Sequence, residues 1–246
     1  MSSKSAKKAK VQARNDRAAE LRAEAERARR ASVIQRFAIV GAVVIVVIVA
    51  AVFISSRDGS DVVASEAGSS DYGLVVGDTA APHEIVIYED FLCPVCGVFE
   101  EASGEMLSEV AAAGDAVVDY RPVSFLSRFG DYSADAVNAL LVVQEASGDE
   151  VAKDFHDLLF ADQPEESGPF PDDDWLVAKA VEAGADEAAV RPGIEDGARL
   201  ADVEAATAEA EEAGVRGTPT VLLDGVVFED GDTWEERTTN LREAVS

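Results

Sequence analysis

Hydrophobic positions change their spacing several times along the chain, and each change predicts an element. Residues 37–56 form an uncharged run of 20 residues built from Val, Ile, Ala and Phe with one glycine, Gly41. At a helical rise it spans roughly 30 Å, the thickness of a bilayer's hydrocarbon core, so a transmembrane helix is expected. Residues 57–72 are rich in Ser, Gly, Asp and Ala and read as a flexible linker. Residues 84–91 carry a near-continuous apolar stretch, Ile85-Val86-Ile87-Tyr88, as in a strand covered on both faces. Helical spacing follows through Val98, Phe99, Met106, Leu107 and Val110 to Gly114, then a second strand over 116–126. Four helical segments are predicted near 133–147, 150–161, 172–184 and 197–213, the body of a helical insert over about 130–213. Strands return at 220–223 and 226–228, joined by Asp224-Gly225, which suits a type I′ hairpin. Thr233 with Glu236 has capping-box spacing and opens a last helix.

Charge divides the chain in a way hydrophobicity alone does not. Residues 1–36 hold eleven Lys and Arg against four Asp and Glu, a net of +7, which leaves −34 for the rest of a chain whose formal total is −27. Basic flanks stay on the cytoplasmic side, so the N-terminus is expected inside and everything after Arg57 outside. The alternatives for the apolar run are a cleaved signal peptide, which usually has a shorter apolar region and a briefer basic lead than these 36 residues, or a buried core helix; a permanent anchor is the preferred reading. The basic lead reads as a topology signal attracted to anionic headgroups rather than a nucleic-acid-binding arm. The acidic remainder argues against polyanionic ligands. Four units result: a basic cytoplasmic segment (1–36), a membrane span (37–56), a linker (57–72) and a folded extracytoplasmic domain (73–246).

Only two cysteines occur, Cys93 and Cys96, at the junction of the predicted strand and helix. Residues i and i+3 on the first turn share a face, so the sulfurs can pair. The unpaired N–H groups of the helix start favour an anion at Cys93. Cys93 is therefore the expected nucleophile and Cys96 the resolving thiol; Pro94 suits the first helical turn. A purely structural disulfide closing so short a loop adds little stability. A zinc site lacks ligands at the right spacing, since the only histidines are His83 and His156, and His156 reads as a surface or packed residue. Glu89 and Asp90 precede the motif. Either is placed to accept the Cys96 proton; a solvated strand-end acid is the preferred reading for Asp90, and Glu89 stays open.

Residues Asp90-Phe91-Leu92-Cys93-Pro94-Val95-Cys96, with Gly217-Thr218-Pro219-Thr220 before the hairpin, resemble the DsbA-like group of thioredoxin-fold thiol-disulfide oxidoreductases. The resemblance spans residues 73–246 and implies an α/β thioredoxin-like fold with an inserted helical domain, here preceded by one transmembrane helix. It further implies a cis bond before Pro219, with Thr218 and Pro219 lying against the cysteines. Thr218's backbone would pair with an extended client, a form of strand addition. Exported cysteine-containing proteins would be the clients, a membrane quinone-linked protein the reoxidising partner, and no organic cofactor or metal is called for. Val95 stands where such oxidants often carry histidine, which leaves a tethered reductase as the alternative direction. A non-catalytic client-binding module is the third reading.

Overall fold

The computed structural model describes residues 62–246. The basic segment, the expected span and residues 57–61 lie outside them. No helix among the described residues is long and apolar enough to cross a membrane.

A five-stranded mixed sheet forms the centre. Its strands are β1 (Leu74–Val76), β2 (His83–Glu89), β3 (Ala116–Pro122), β4 (Thr220–Leu223) and β5 (Val226–Val227), in the spatial order β1-β3-β2-β4-β5. The middle strand, β2, runs parallel to β3, with Ile87 opposite Tyr120, and antiparallel to β4, with Ile87 opposite Val221. Its apolar run is continuous because both faces are covered. Ile85 and Ile87 enter the larger core with Val118, Tyr120 and Leu140, while Val86 and Tyr88 face Val123, Ala210, Val215 and Leu222. Each of these large apolar side chains, taken out of water, contributes about 1.5–3 kcal/mol.

Helix α1 (Pro94–Ala113) crosses from β2 to β3. It ends at Gly114, which takes the left-handed conformation (φ 78°), and the N–H groups of Gly114 and Asp115 bond to the carbonyls of Ala111 and Val110. Five helices fill the space between β3 and β4: α2 (Tyr132–Ser147), α3 (Asp149–Ala161), α4 (Asp173–Glu182), α5 (Glu187–Glu195) and α6 (Leu200–Glu212). The last helix, α7 (Trp234–Ala244), docks on α1, with Trp234 edge-on to Phe99 at 5.3 Å. The hairpin turn has positive φ at both Asp224 (50°) and Gly225 (78°), the geometry of a type I′ turn.

Three differences from the sequence reading have physical causes. Strand β3 stops at Pro122, short of residue 126, because residues 123–130 turn out of the sheet. Helix α5 was not expected because Pro192 and Gly193 fall inside it; the Asn138 side chain reaches the carbonyl of Ile194 (3.4 Å) and accepts from the Arg199 N–H (2.8 Å), supporting that end of the helix from α2. Residues 62–72, expected as linker, are laid against the sheet instead. The Val63 N–H bonds to the Ala213 carbonyl, and Val62, Ala64 and Ala67 pack on the smaller core. Arg121, buried in β3 against Asp119 at 2.9 Å, donates to the carbonyls of Ser65 (3.0 Å) and Glu66 (2.9 Å) and anchors this strap.

Candidate functional site

The end of β2 delivers the chain into a tight turn in which the Cys93 N–H bonds to the Asp90 carbonyl (2.9 Å). Cys93 is the N-cap of α1, with extended backbone (φ −76°, ψ 113°) and Pro94 in the first turn. Its carbonyl accepts from the N–H groups of Cys96 (3.0 Å) and Gly97 (3.2 Å), which starts the helix. Gln163 braces the turn by donating to the carbonyls of Phe91 (3.0 Å) and Cys93 (2.9 Å). Across the site the Thr218-Pro219 bond is cis, and the Cys93 thiol lies 3.4 Å from the Thr218 carbonyl oxygen. Cys93, Cys96, Pro94, Val95, Thr218 and Pro219 thus occupy one locality.

The two thiols are unequal. Cys93 retains 7% exposure and Cys96 none, while Val95 between them is 47% exposed. A hydrogen bond from the Cys96 thiol is the largest influence on Cys93. Burial opposes it, but the Thr218 side chain and the N–H groups of Cys96 and Val95 assist, and the Cys93 pKa falls to about 6. Burial, reinforced by the proton held toward Cys93, pushes the Cys96 thiol far above the ordinary thiol range. Such a pair has one thiolate at neutral pH at the sulfur nearer to solvent, which is the asymmetry that exchange chemistry requires. Beside Cys93 a groove of about 920 Å³ is lined by Val95, Phe125, Leu126, Arg216 and Thr218.

Asp90 is fully buried, contrary to the solvated acid expected. Its carboxylate accepts from the N–H groups of Leu92 and Leu126 (both 2.9 Å) and from the Ser133 hydroxyl (2.8 Å), so it fixes the loop before Cys93. Burial raises its pKa to about 6 in spite of those bonds. Glu89 is buried too, and its hydrogen-bond partner is His156, 2.6 Å from Oε1 to Nε2, rather than a cysteine. His156 is wholly enclosed, with Nδ1 2.9 Å from Asp157 Oδ1. Burial alone would lower the imidazole pKa, but the charge of Glu89, the bonds to Asp157 and Glu89, and Glu100 raise it to about 10. Residue spacing concealed this grouping, because β2, α1 and α3 each supply one member. One hint was that Glu100 falls one helical turn beyond Cys96, on the same face of α1.

A parallel strand feeding a cysteine-capped helix, with a cis-prolyl loop across from it, is the architecture of thioredoxin-fold protein thiol-disulfide oxidoreductases, and that is the class of this chain. The family described as Thioredoxin matches residues 69–243, and the chain belongs to it. Among solved structures it is similar to oxidised DsbA of Mycobacterium tuberculosis (31% identity, 71% of this chain and 93% of that one, TM-score 0.60). It is also similar to the reduced disulfide oxidoreductase DsbG of the same organism (33%, 68% and 78%, TM-score 0.56). A third is MdbA, a thiol-disulfide oxidoreductase of Corynebacterium diphtheriae (25%, 78% and 98%, TM-score 0.61). The curated relatives matched are the serine/threonine-protein kinase PknE of M. tuberculosis strains, 27% identical over 158 residues. The match takes in 61% of this chain and only 28% of the kinase's length.

Proposed function

We propose that the chain introduces disulfides into exported proteins through its Cys93-Pro94-Val95-Cys96 motif. The observation that carries this reading is the inequality of the two thiols, with Cys93 held as a thiolate at the open end of α1 and Cys96 protonated behind it. In the oxidised form a client thiolate attacks Cys93 Sγ, the Cys93–Cys96 bond breaks, and Cys96 leaves as the thiolate that takes up a proton. A second client thiolate then attacks the mixed disulfide, which releases Cys93 as a thiolate and the client as a disulfide. The client would lie in the groove beside Cys93, with an extended segment pairing with the Thr218 backbone. Residues 37–56 would tether the domain on the outer face of the membrane. A quinone-linked membrane protein would reoxidise the pair.

The reverse direction, a tethered reductase, is favoured by one observation. A Cys93 pKa of about 6 lies closer to the roughly 7 of thioredoxin than to the roughly 3.5 of the strongest oxidant. Equilibration of the full chain with glutathione buffers, followed by thiol trapping, separates the two. A potential approaching roughly −120 mV supports donation, whereas one near −270 mV refutes it in favour of reduction. If the wild-type chain shows no more client oxidation or disulfide reduction than Cys93→Ser, both enzymatic readings fail and a client-binding module remains.

A further inference from the structure

Behind the cysteine helix, three side chains from three elements converge: Glu89 at the end of β2, Glu100 on α1 and His156 on α3. One ligand atom of each lies within 4.8 Å of the others. All are buried, Glu89 and His156 completely and Glu100 to 9% exposure. Glu89 Oε2 and Glu100 Oε1 have no hydrogen-bond partner among the described residues, and neither does the hydroxyl of Tyr120, whose ring lies 4.6 Å from that of His156. A buried carboxyl oxygen without a partner is costly, and these two belong to one buried cluster, in which a bound cation would compete with the protons on His156 and Glu100. Glu100 also lines a groove of about 740 Å³ between α1 and α3, together with Glu101, Glu105 and Asp157, and these acidic side chains would concentrate cations there.

We propose that Glu89, Glu100 and His156 form a zinc-binding site that clamps β2, α1 and α3 together behind the Cys93-Cys96 pair. Two carboxylates and an imidazole, with water in a fourth position, match the tetrahedral preference of Zn²⁺; Ca²⁺ and Mg²⁺ favour sets made of oxygen alone. The ion takes the place of the proton on Nε2, with that proton passing to solvent. Opening the 2.6 Å Glu89–His156 contact to the about 3.3 Å between neighbouring ligands of a tetrahedral zinc requires under 1 Å of side-chain movement, and separations that reach 4.8 Å would close by up to about 1.5 Å. Asp157 already supplies the outer support such sites use, holding Nδ1 at 2.9 Å so that Nε2 points inward. Asp157 is a positioning residue.

The test uses the full chain in detergent, oxidised so that the cysteine sulfurs are withheld, stripped with a chelator and titrated with Zn²⁺ by calorimetry and with Co²⁺ by visible ligand-field absorption. One saturable equivalent is expected. Glu100→Gln should weaken it more than tenfold, Asp157→Asn by about 10- to 100-fold, and His83→Gln not at all. Near-UV circular dichroism checks that each variant is folded. Asp157 is half exposed, so its variant keeps the test alive if Glu100→Gln fails to fold. Absence of saturable binding, or binding indifferent to both substitutions, overturns the site and leaves a cluster closed by protons alone. Thiol exchange is measured separately, so neither outcome bears on the direction of electron flow.

Discussion

Replacing Cys96 tests the origin of the Cys93 thiolate, because the Cys96 thiol is the strongest of the groups that stabilise it. A hydrogen bond to a charged group contributes about 1.5–3 kcal/mol, and one pKa unit corresponds to about 1.36 kcal/mol. Cys96→Ala should therefore move the Cys93 pKa from about 6 to about 7–8, whereas Cys96→Ser keeps an O–H donor in place and should hold it near 6. Rate at a single pH is a poor measure of this. The thiolate fraction at pH 7 falls from about 0.9 to about 0.1–0.5 in the alanine variant, but nucleophilicity rises with pKa by roughly half an order of magnitude per unit, and the two largely cancel. The assay is the pH profile of Cys93 alkylation by iodoacetamide, read at its midpoint, with thiolate ultraviolet absorbance as a second probe. A midpoint that stays at about 6 in Cys96→Ala refutes the reasoning. It would assign the thiolate to the α1 terminus and Thr218. The same titration bears on redox poise: a shift from 9.0 to about 6 stabilises the reduced form about 11-fold at pH 7, which raises the potential by roughly 30 mV.

Val95 is the exposed position where a further shift can be built in. A histidine there, when protonated, adds a cation beside the thiolate; Val95→His should lower the Cys93 pKa by about one unit and raise the reduction potential by roughly 30 mV in glutathione equilibration. Arg121→Met leaves Asp119 buried without its partner and releases the 62–72 strap, so urea unfolding should show a loss of about 3–5 kcal/mol, part of it recovered at pH 5 as Asp119 protonates. Ser133→Ala removes one donor to Asp90 and should cost about 1–3 kcal/mol at pH 8. Because Asp90 titrates at about 6 when folded and 3.8 otherwise, the fold binds the extra proton and stability declines as pH climbs through that window. The serine variant should steepen the decline, so a variant whose loss is the same at pH 5 and pH 8 argues against the assignment.

Those residues also mark where reading the sequence succeeds and fails. The cysteine motif, the Thr218-Pro219 pair and the Asp224-Gly225 turn were legible because each is a local device, fixed by the conformations or chemistry of two to four adjacent residues. The central strand was legible for a similar reason, since burial on both faces leaves a run that no surface strand would carry. The predicted cap is half right on the same logic. Thr233 Oγ does accept from the Glu236 N–H, but the Glu236 carboxylate takes the N–H of Asp232 instead of completing the box. What could not be read is chemistry assembled across distance. Glu89 lies 67 positions from His156, and Arg121 lies 55 from Glu66. Within its own segment none of them shows which residue it meets. A charge in a strand with an otherwise apolar face is costly to bury unless a partner comes with it. Asp119 and Arg121 interrupting β3, and Glu89 and Asp90 closing β2, were therefore themselves the trace of partners elsewhere in the chain. The sequence left open which partners, because that depends on how α3 and the strap fold over the sheet.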